Sequence, residues 1–197
     1  MKKSVIFIFF TFIISLLLSP KVFSEERPGF KDINVTTLKE QRETFKEEMQ
    51  KRKEEFKENL EKIKDERKKK IIERMNDNFA SRNEKWVTHF NNVLRRLTEI
   101  LEKIETRTQK AKENGKDMSS VETAILNAKT AIEEAQSAVN AQQEKDYTIM
   151  IADEENAKEE VSVIKEQLKT DLTNTRERVK NARDAVHQAA VTLGESL

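Results

Sequence analysis

The chain has 197 residues, with 37 lysines and arginines against 36 aspartates and glutamates, and it contains no cysteine. The lack of cysteine excludes disulfides, thiolate metal sites and lipid-modified lipoproteins, and the near-zero net charge argues against a nucleic-acid partner. Because charged residues make up 37% of the chain and the mean hydropathy is −0.77, we expect an elongated all-α bundle with a thin core.

The first predicted element is a secretory signal peptide over residues 1–24. Two lysines precede an apolar run from Val5 to Leu18, and Ser24 is a small residue at the expected cleavage site. A membrane-spanning helix needs about 20 apolar residues, so cleavage is favoured over a retained anchor. The protein is therefore predicted to be exported to the periplasm or the cell surface, and to be membrane-tethered only if the leader is retained.

A flexible tether over residues 25–36, which holds Pro28 and Gly29, precedes one long charged helix over residues 37–78. From Lys39 onward the sequence repeats every eleven residues, as KEQRETFKEEM, QKRKEEFKENL and EKIKDERKKKI. An eleven-residue period is close to the natural pitch of an α-helix, so it keeps one set of apolar residues on one face. We name this face the apolar stripe, and its members are Leu38, Phe45, Met49, Phe56, Leu60, Ile63 and Ile71.

An antiparallel three-helix bundle or coiled coil is predicted over residues 79–193, because apolar residues there follow the three-and-four spacing of a heptad repeat. Gly115 supplies the turn between the first two helices. Trp86 and Phe90 are expected in the thickest part of the core. The predicted helices span 79–113, 119–145 and 153–193.

The β-branched and aromatic run over residues 147–151 is of the kind that strands prefer. The sequence predicts no second strand that could pair with this run, so we expect an extended connection between the last two helices.

No set of residues predicts catalysis, a cofactor or a metal ion. His89 and His187 lack the further ligands that zinc needs, and the serines lack the glycine-rich turn of a nucleophile. Arg67 to Lys70 form the densest basic cluster and could contact anionic lipid. Acidic residues surround this cluster, so a solvated helical face is the simpler interpretation. We therefore expect a protein that is not an enzyme.

The apolar stripe is the predicted interaction site. The long first helix is expected to overhang the bundle by about 60 Å, at 1.5 Å per residue, which would leave the stripe exposed as an association surface. Self-pairing, binding of a protein partner and holding of client segments all remain open. Membrane contact is expected only through a retained leader or the basic cluster at Arg67 to Lys70.

The alanine-rich segment AILNAKTAIEEAQSAVNAQ, the connecting segment DYTIMI and the final segment LKTDLTNTRERVKNARDAVHQAA follow the leader and the heptads. Together they resemble uncharacterised secreted coiled-coil and helical-bundle proteins of small-genome bacteria, over about residues 79–193. That resemblance implies no activity. The leader and the coiled-coil arms are also similar to those of the jellyfish-shaped periplasmic chaperones, whose small strand-rich body is not evident in this sequence.

These observations predict a cell-envelope protein that acts as a helical spacer or interaction scaffold. The alternative is a holdase chaperone that shields unfolded chains with the apolar stripe. A scaffold should have a defined partner, whereas a holdase should suppress aggregation of a model substrate and lose that activity when Phe45 and Phe56 are changed to serine.

Overall fold

The computed structural model describes the backbone of residues 35–197 and the side chains from residue 43 onward. Within that part of the chain all regular structure is helical, in four helices, and no strand is present. The helices are α1 Val35–Leu60, α2 Glu66–Glu113, α3 Ser119–Gln143 and α4 Ala157–Ser196. The predicted signal peptide and all but the last two residues of the predicted tether lie outside the described residues.

Helices α2, α3 and α4 pack against one another in pairs and form the bundle. An ion pair of 2.5 Å joins Lys112 to Glu122 beside the α2–α3 turn, and a hydrogen bond of 2.8 Å joins Gln142 to Asn83 at the other end of the same helices. This order of contacts requires α2 and α3 to be antiparallel. The predicted fold class, an all-α antiparallel three-helix bundle, is therefore confirmed.

The turn between α2 and α3 depends on Gly115, which has a φ of +83°. Glycine adopts this left-handed conformation without the steric cost that a Cβ imposes. The amide of Lys116 then donates to the carbonyl of Ala111 at 3.1 Å, which satisfies one of the last helical acceptors. The hairpin therefore lies where the glycine predicts it.

The prediction of one unbroken helix from residue 37 into the bundle is wrong, because the chain leaves the helix between Leu60 and Glu66. Asp65 caps the new helix and accepts hydrogen bonds from the amides of Arg67 and Lys68 at 2.9 and 3.3 Å. Ile63 turns inward and is buried. The segment lacks proline and glycine, so the break follows from the cap and from the burial of one apolar side chain.

The end of α1 folds back onto the bundle instead of projecting from it. Phe56 and Leu60 share an apolar cluster with Tyr147, Ile149 and Ile151 of the connector, which we define as residues 144–156. The connector is extended and unpaired, as its sequence predicts, and it places alternate side chains inward. The expected overhang of α1 is therefore replaced, at its C-terminal end, by a packed contact.

The bundle contains two apolar cores. The hairpin core includes Phe90 and Leu94 of α2 and extends to the α2–α3 turn, whereas the basal core holds the α1 and connector residues described above. Leu172 borders both cores. Trp86 is 39% exposed, so its predicted place in the thickest core is wrong, although Phe90 is buried as predicted. Across the described residues, no helix combines the length and apolar character needed to cross a membrane.

Candidate functional site

A groove of about 240 Å³ runs along the surface where α2 lies beside α4. Phe79 and Phe90 of α2 and Leu168 of α4 line it and are themselves buried. Four basic side chains, which come from both helices, line it as well. We name it the cationic groove, and its basic members are Arg82, Lys165, Lys169 and Arg176.

The groove presents an aromatic surface to solvent. The centroid of the Trp86 ring lies 5.4 Å from that of Phe90, at an angle of 34° between the rings, and 5.6 Å from that of His89, almost edge-on at 86°. Phe90 is anchored in the hairpin core, so these contacts hold the indole in place while 39% of Trp86 stays accessible. A large apolar ring kept rigid and half-exposed is the typical anchor of a binding surface.

The charges in the groove are of one sign, because no carboxylate lines it. Lys169 forms an exposed ion pair with Glu166 on its own helix, at 3.2 Å. Within the described chain, Arg82, Lys165 and Arg176 make no ion pair. The groove therefore keeps an unbalanced positive field next to an apolar surface.

The parallel alignment of α2 and α4 produces this arrangement. On α2 the lining residues recur every three or four positions, from Phe79 through Arg82 and Trp86 to Phe90, and the same spacing recurs on α4 from Lys165 to Arg176. Such spacing keeps each set on one helical face. These residues are not among the sites predicted from the sequence. The available signal was the pairing of basic residues with apolar ones on two separate heptad helices.

The structure does not keep the predicted apolar stripe together as one exposed face. Phe56, Leu60 and Ile63 are buried in the basal core, and Ile71 is 57% exposed beyond the helix break. Two further members, Phe45 and Met49, are half-buried, whereas the side chain of Leu38 lies outside the described ones. The break at residues 61–65 and the folding back of α1 together explain this correction.

A second groove, of about 610 Å³, lies nearer the start of α2 and α4 and is mainly apolar. It includes the exposed Ile71 together with Met75 and Val161. Its charges are mixed, because Lys68 and Glu154 at its edge form an ion pair of 2.9 Å. The charges of this groove therefore favour no particular class of ligand.

The basic cluster from Arg67 to Lys70 is partly neutralised. Lys68 pairs with Glu154, and Lys69 pairs with Glu61 at 2.6 Å. Each partner carboxylate raises the pKa of its lysine through a hydrogen bond. The cluster therefore helps to join the start of α2 to the connector and to the end of α1, which weakens its interpretation as a lipid site.

Neither histidine gathers metal ligands in the described part of the chain, where no group of three or more histidine, cysteine, aspartate or glutamate side chains could hold a metal ion. His89 packs against Trp86 instead, and His187 is exposed.

The residues of the cationic groove are suited to binding a ligand. It can accept a ligand that combines negative charge with an apolar group, because basic side chains and an exposed indole line the same cleft. Comparison of this chain with known protein families, curated protein sequences and solved structures found no match.

Proposed function

We propose that this protein is a non-enzymatic interaction scaffold of the cell envelope, and that it binds a protein partner through the cationic groove. One observation carries the proposal: Trp86 is held half-exposed among four basic side chains that come from two helices. Large accessible aromatic residues and arginines are the residue types that dominate binding energy at protein interfaces.

The dimensions of the bundle support a scaffold role. Helix α2 has 48 residues and is therefore about 72 Å long at 1.5 Å per residue. It is braced by α3 along its C-terminal part and by α4 along its length. A long braced helix holds surface sites at fixed distances, which is what a spacer requires.

Site-specific cross-linking in cells tests the scaffold proposal. A photoreactive amino acid replaces Thr173, which lines the groove, or Thr123, which is exposed on α3 outside it. We expect one or two discrete adducts from position 173, lost when Trp86→Ala is added, and none from position 123. Absence of any adduct at position 173 would refute the proposal.

Holdase activity is the second candidate, and the accessible parts of Phe45, Met49 and Ile71 favour it. Against it, the burial of Phe56 and Leu60 removes the middle of the apolar stripe from solvent. A holdase should suppress aggregation of a model substrate and lose that effect with Phe45→Ser. It should also give a broad range of cross-linked envelope proteins instead of discrete adducts.

Export is part of this proposal and depends on the leader over residues 1–24, with its two early lysines, its apolar run and Ser24. Mass spectrometry of the protein purified from its native source tests it. We expect an N-terminus at Glu25. Removal of the leader subtracts three lysines from a net charge of +1 and leaves −2 on the mature chain.

A further inference from the structure

We infer that the cationic groove binds a short extended segment of a partner protein that is acidic and carries one large apolar side chain. This inference rests on the proposed function and specifies its partner. The apolar side chain would pack on Trp86, and the carboxylates would pair with Arg82 and Arg176 and with the lysines between them.

The length of the groove sets the length of the segment. Its lining residues extend from Phe79 to Phe90 on α2 and from Lys165 to Arg176 on α4. Each span is about 16 Å at 1.5 Å per helical residue. An extended chain advances about 3.3 Å per residue, so about five residues would follow the groove from end to end.

The positive charge of the groove predicts that the bound segment is negatively charged. Arginine can bind a carboxylate through two parallel hydrogen bonds, and neither Arg82 nor Arg176 has an ion-pair partner within the described chain. Their guanidinium groups therefore need not break an existing pair to accept a new one. Lys165 is similarly available, so an acidic ligand would gain contacts at both helices.

The position of the apolar residues favours a peptide over a membrane surface. Phe79, Phe90 and Leu168 are buried between two helices, so Trp86 is the one large apolar side chain of the groove that is substantially exposed. A flat bilayer is bound best by apolar residues that project into it. A single side chain from an extended segment, in contrast, can enter the cleft and reach Trp86.

The protein itself supplies the probe for a direct test, because Trp86 is its single tryptophan. The intact protein is titrated with a pentapeptide that has a central phenylalanine and two glutamates on each side, and the indole emission is followed. We expect a saturable change in emission. A peptide with glutamine in place of glutamate should bind about tenfold more weakly, because several exposed charge pairs are lost.

Paired variants separate the groove from the general charge of the molecule. The double variant Arg82→Gln, Arg176→Gln should weaken binding of the acidic peptide about tenfold, since two charged contacts disappear. The matched double variant Arg96→Gln, Arg107→Gln removes the same charge from exposed positions of α2 beyond the groove, and it should leave the affinity unchanged. Far-UV circular dichroism confirms that each variant is folded.

Three results would overturn the inference. The glutamine peptide could bind as tightly as the glutamate peptide, the two double variants could weaken binding equally, or vesicles of phosphatidylglycerol could change the Trp86 emission where the peptide does not. The first two would refute acidic recognition by this groove, and the third would assign it to an anionic membrane surface.

This titration can fail independently of the proposed scaffold function. If the peptide does not bind but the cross-linker at position 173 still captures a discrete partner, the acidic class of ligand is wrong and the scaffold stands. If the peptide binds but the cross-linker captures nothing, the recognition chemistry stands and the scaffold proposal falls.

Discussion

Gln142 lies near the boundary between the two cores with only 1% of its surface exposed. Its amide nitrogen donates to Asn83 at 2.8 Å and to the hydroxyl of Tyr147 at 2.6 Å, and its amide oxygen accepts from Thr175 at 3.3 Å. The Tyr147 hydroxyl donates in turn to Asp171 at 2.9 Å. This polar layer connects α2, α3, α4 and the connector. Because each buried polar group needs its partner, the layer fixes the register of the helices.

Replacing Gln142 should therefore be costly. Gln142→Ala removes the donor to the Asn83 amide oxygen and to the Tyr147 hydroxyl and opens a cavity. Asn83 and Thr175 keep their bonds to the backbone carbonyls of residues 142 and 171. We expect the free energy of unfolding to fall by about 2–4 kcal/mol. Chemical denaturation measures this change. The neighbouring Gln143→Ala is the control, because Gln143 is exposed and its loss should cost less than about 0.5 kcal/mol. Equal losses in the two variants would contradict a structural role for the layer.

Tyr147 should make stability depend on pH in the alkaline range. Burial raises the pKa of its hydroxyl, and the neighbouring Asp171 raises it further. The folded protein then keeps the proton at a pH where the unfolded chain, with an ordinary pKa of about 10, has lost it. This contribution to stability is fully present below about pH 10 and is lost as the pH rises above that value.

The measurement uses ultraviolet absorbance, since Tyr147 is the single tyrosine of the chain. We expect the phenolate to form at a higher pH in the native protein than in the protein unfolded by urea. Far-UV circular dichroism on the same samples shows whether the helices persist. The same midpoint in native and unfolded samples would show that the hydroxyl is not buried as described.

At the scale of the elements, the attachment of α1 depends on a few apolar residues at its C-terminal end. Phe56 is buried in the basal core, whereas Phe45 is half-buried one repeat earlier. Phe56→Ala should weaken the docking of α1 by about 3 kcal/mol and raise the rate of tryptic cleavage within residues 61–65 by about tenfold or more. Phe45→Ala should leave that rate nearly unchanged. The reverse order would mean that α1 docks through its N-terminal part.

The helices of the bundle could be predicted because each one shows a heptad spacing of apolar residues in its own sequence. Heptad spacing predicts all three bundle helices and the end of α2, although α2 begins at Glu66 instead of residue 79 and the bounds of α3 and α4 differ by a few residues. Gly115 marks the hairpin. The break at residues 61–65 could not be predicted, since it depends on contacts with distant parts of the chain. The amide of Lys64 donates to Glu154 at 3.0 Å, and Ile63 packs with the connector. Only the folded bundle brings these groups together.

The cationic groove could not be predicted for a related reason. The heptad spacing predicts Trp86 in the core, but Asn83, Val87 and Phe90 point inward and leave the indole at the edge of α2. The basic residues of α4 then complete the site from the other side. Each helix alone resembles an ordinary solvated face, and their combination exists only once α2 and α4 are parallel neighbours.

At the scale of the whole molecule, the two ends of the bundle differ in how their backbone is held. Around the hairpin core, α2, α3 and α4 are continuous helices whose amides bond within each helix. At the basal end the connector relies on side chains: the amide of Ile149 donates to Asn76 at 3.0 Å, and the amide of Ala152 donates to Glu160 at 3.0 Å. Because the connector makes fewer backbone hydrogen bonds, we expect local unfolding of the basal end to need less free energy than unfolding of the hairpin core.

Native-state hydrogen exchange tests this gradient through Asn76. Asn76→Ala removes the acceptor of the Ile149 amide, so the opening free energy of the connector and of α1 should fall by about 1–2 kcal/mol. Amides around the hairpin core should keep their protection. Asn78→Ala is the control, because this neighbour is exposed and its side chain makes no hydrogen bond within the described chain. A uniform loss of protection in the Asn76 variant would instead show that the two cores unfold as one cooperative unit.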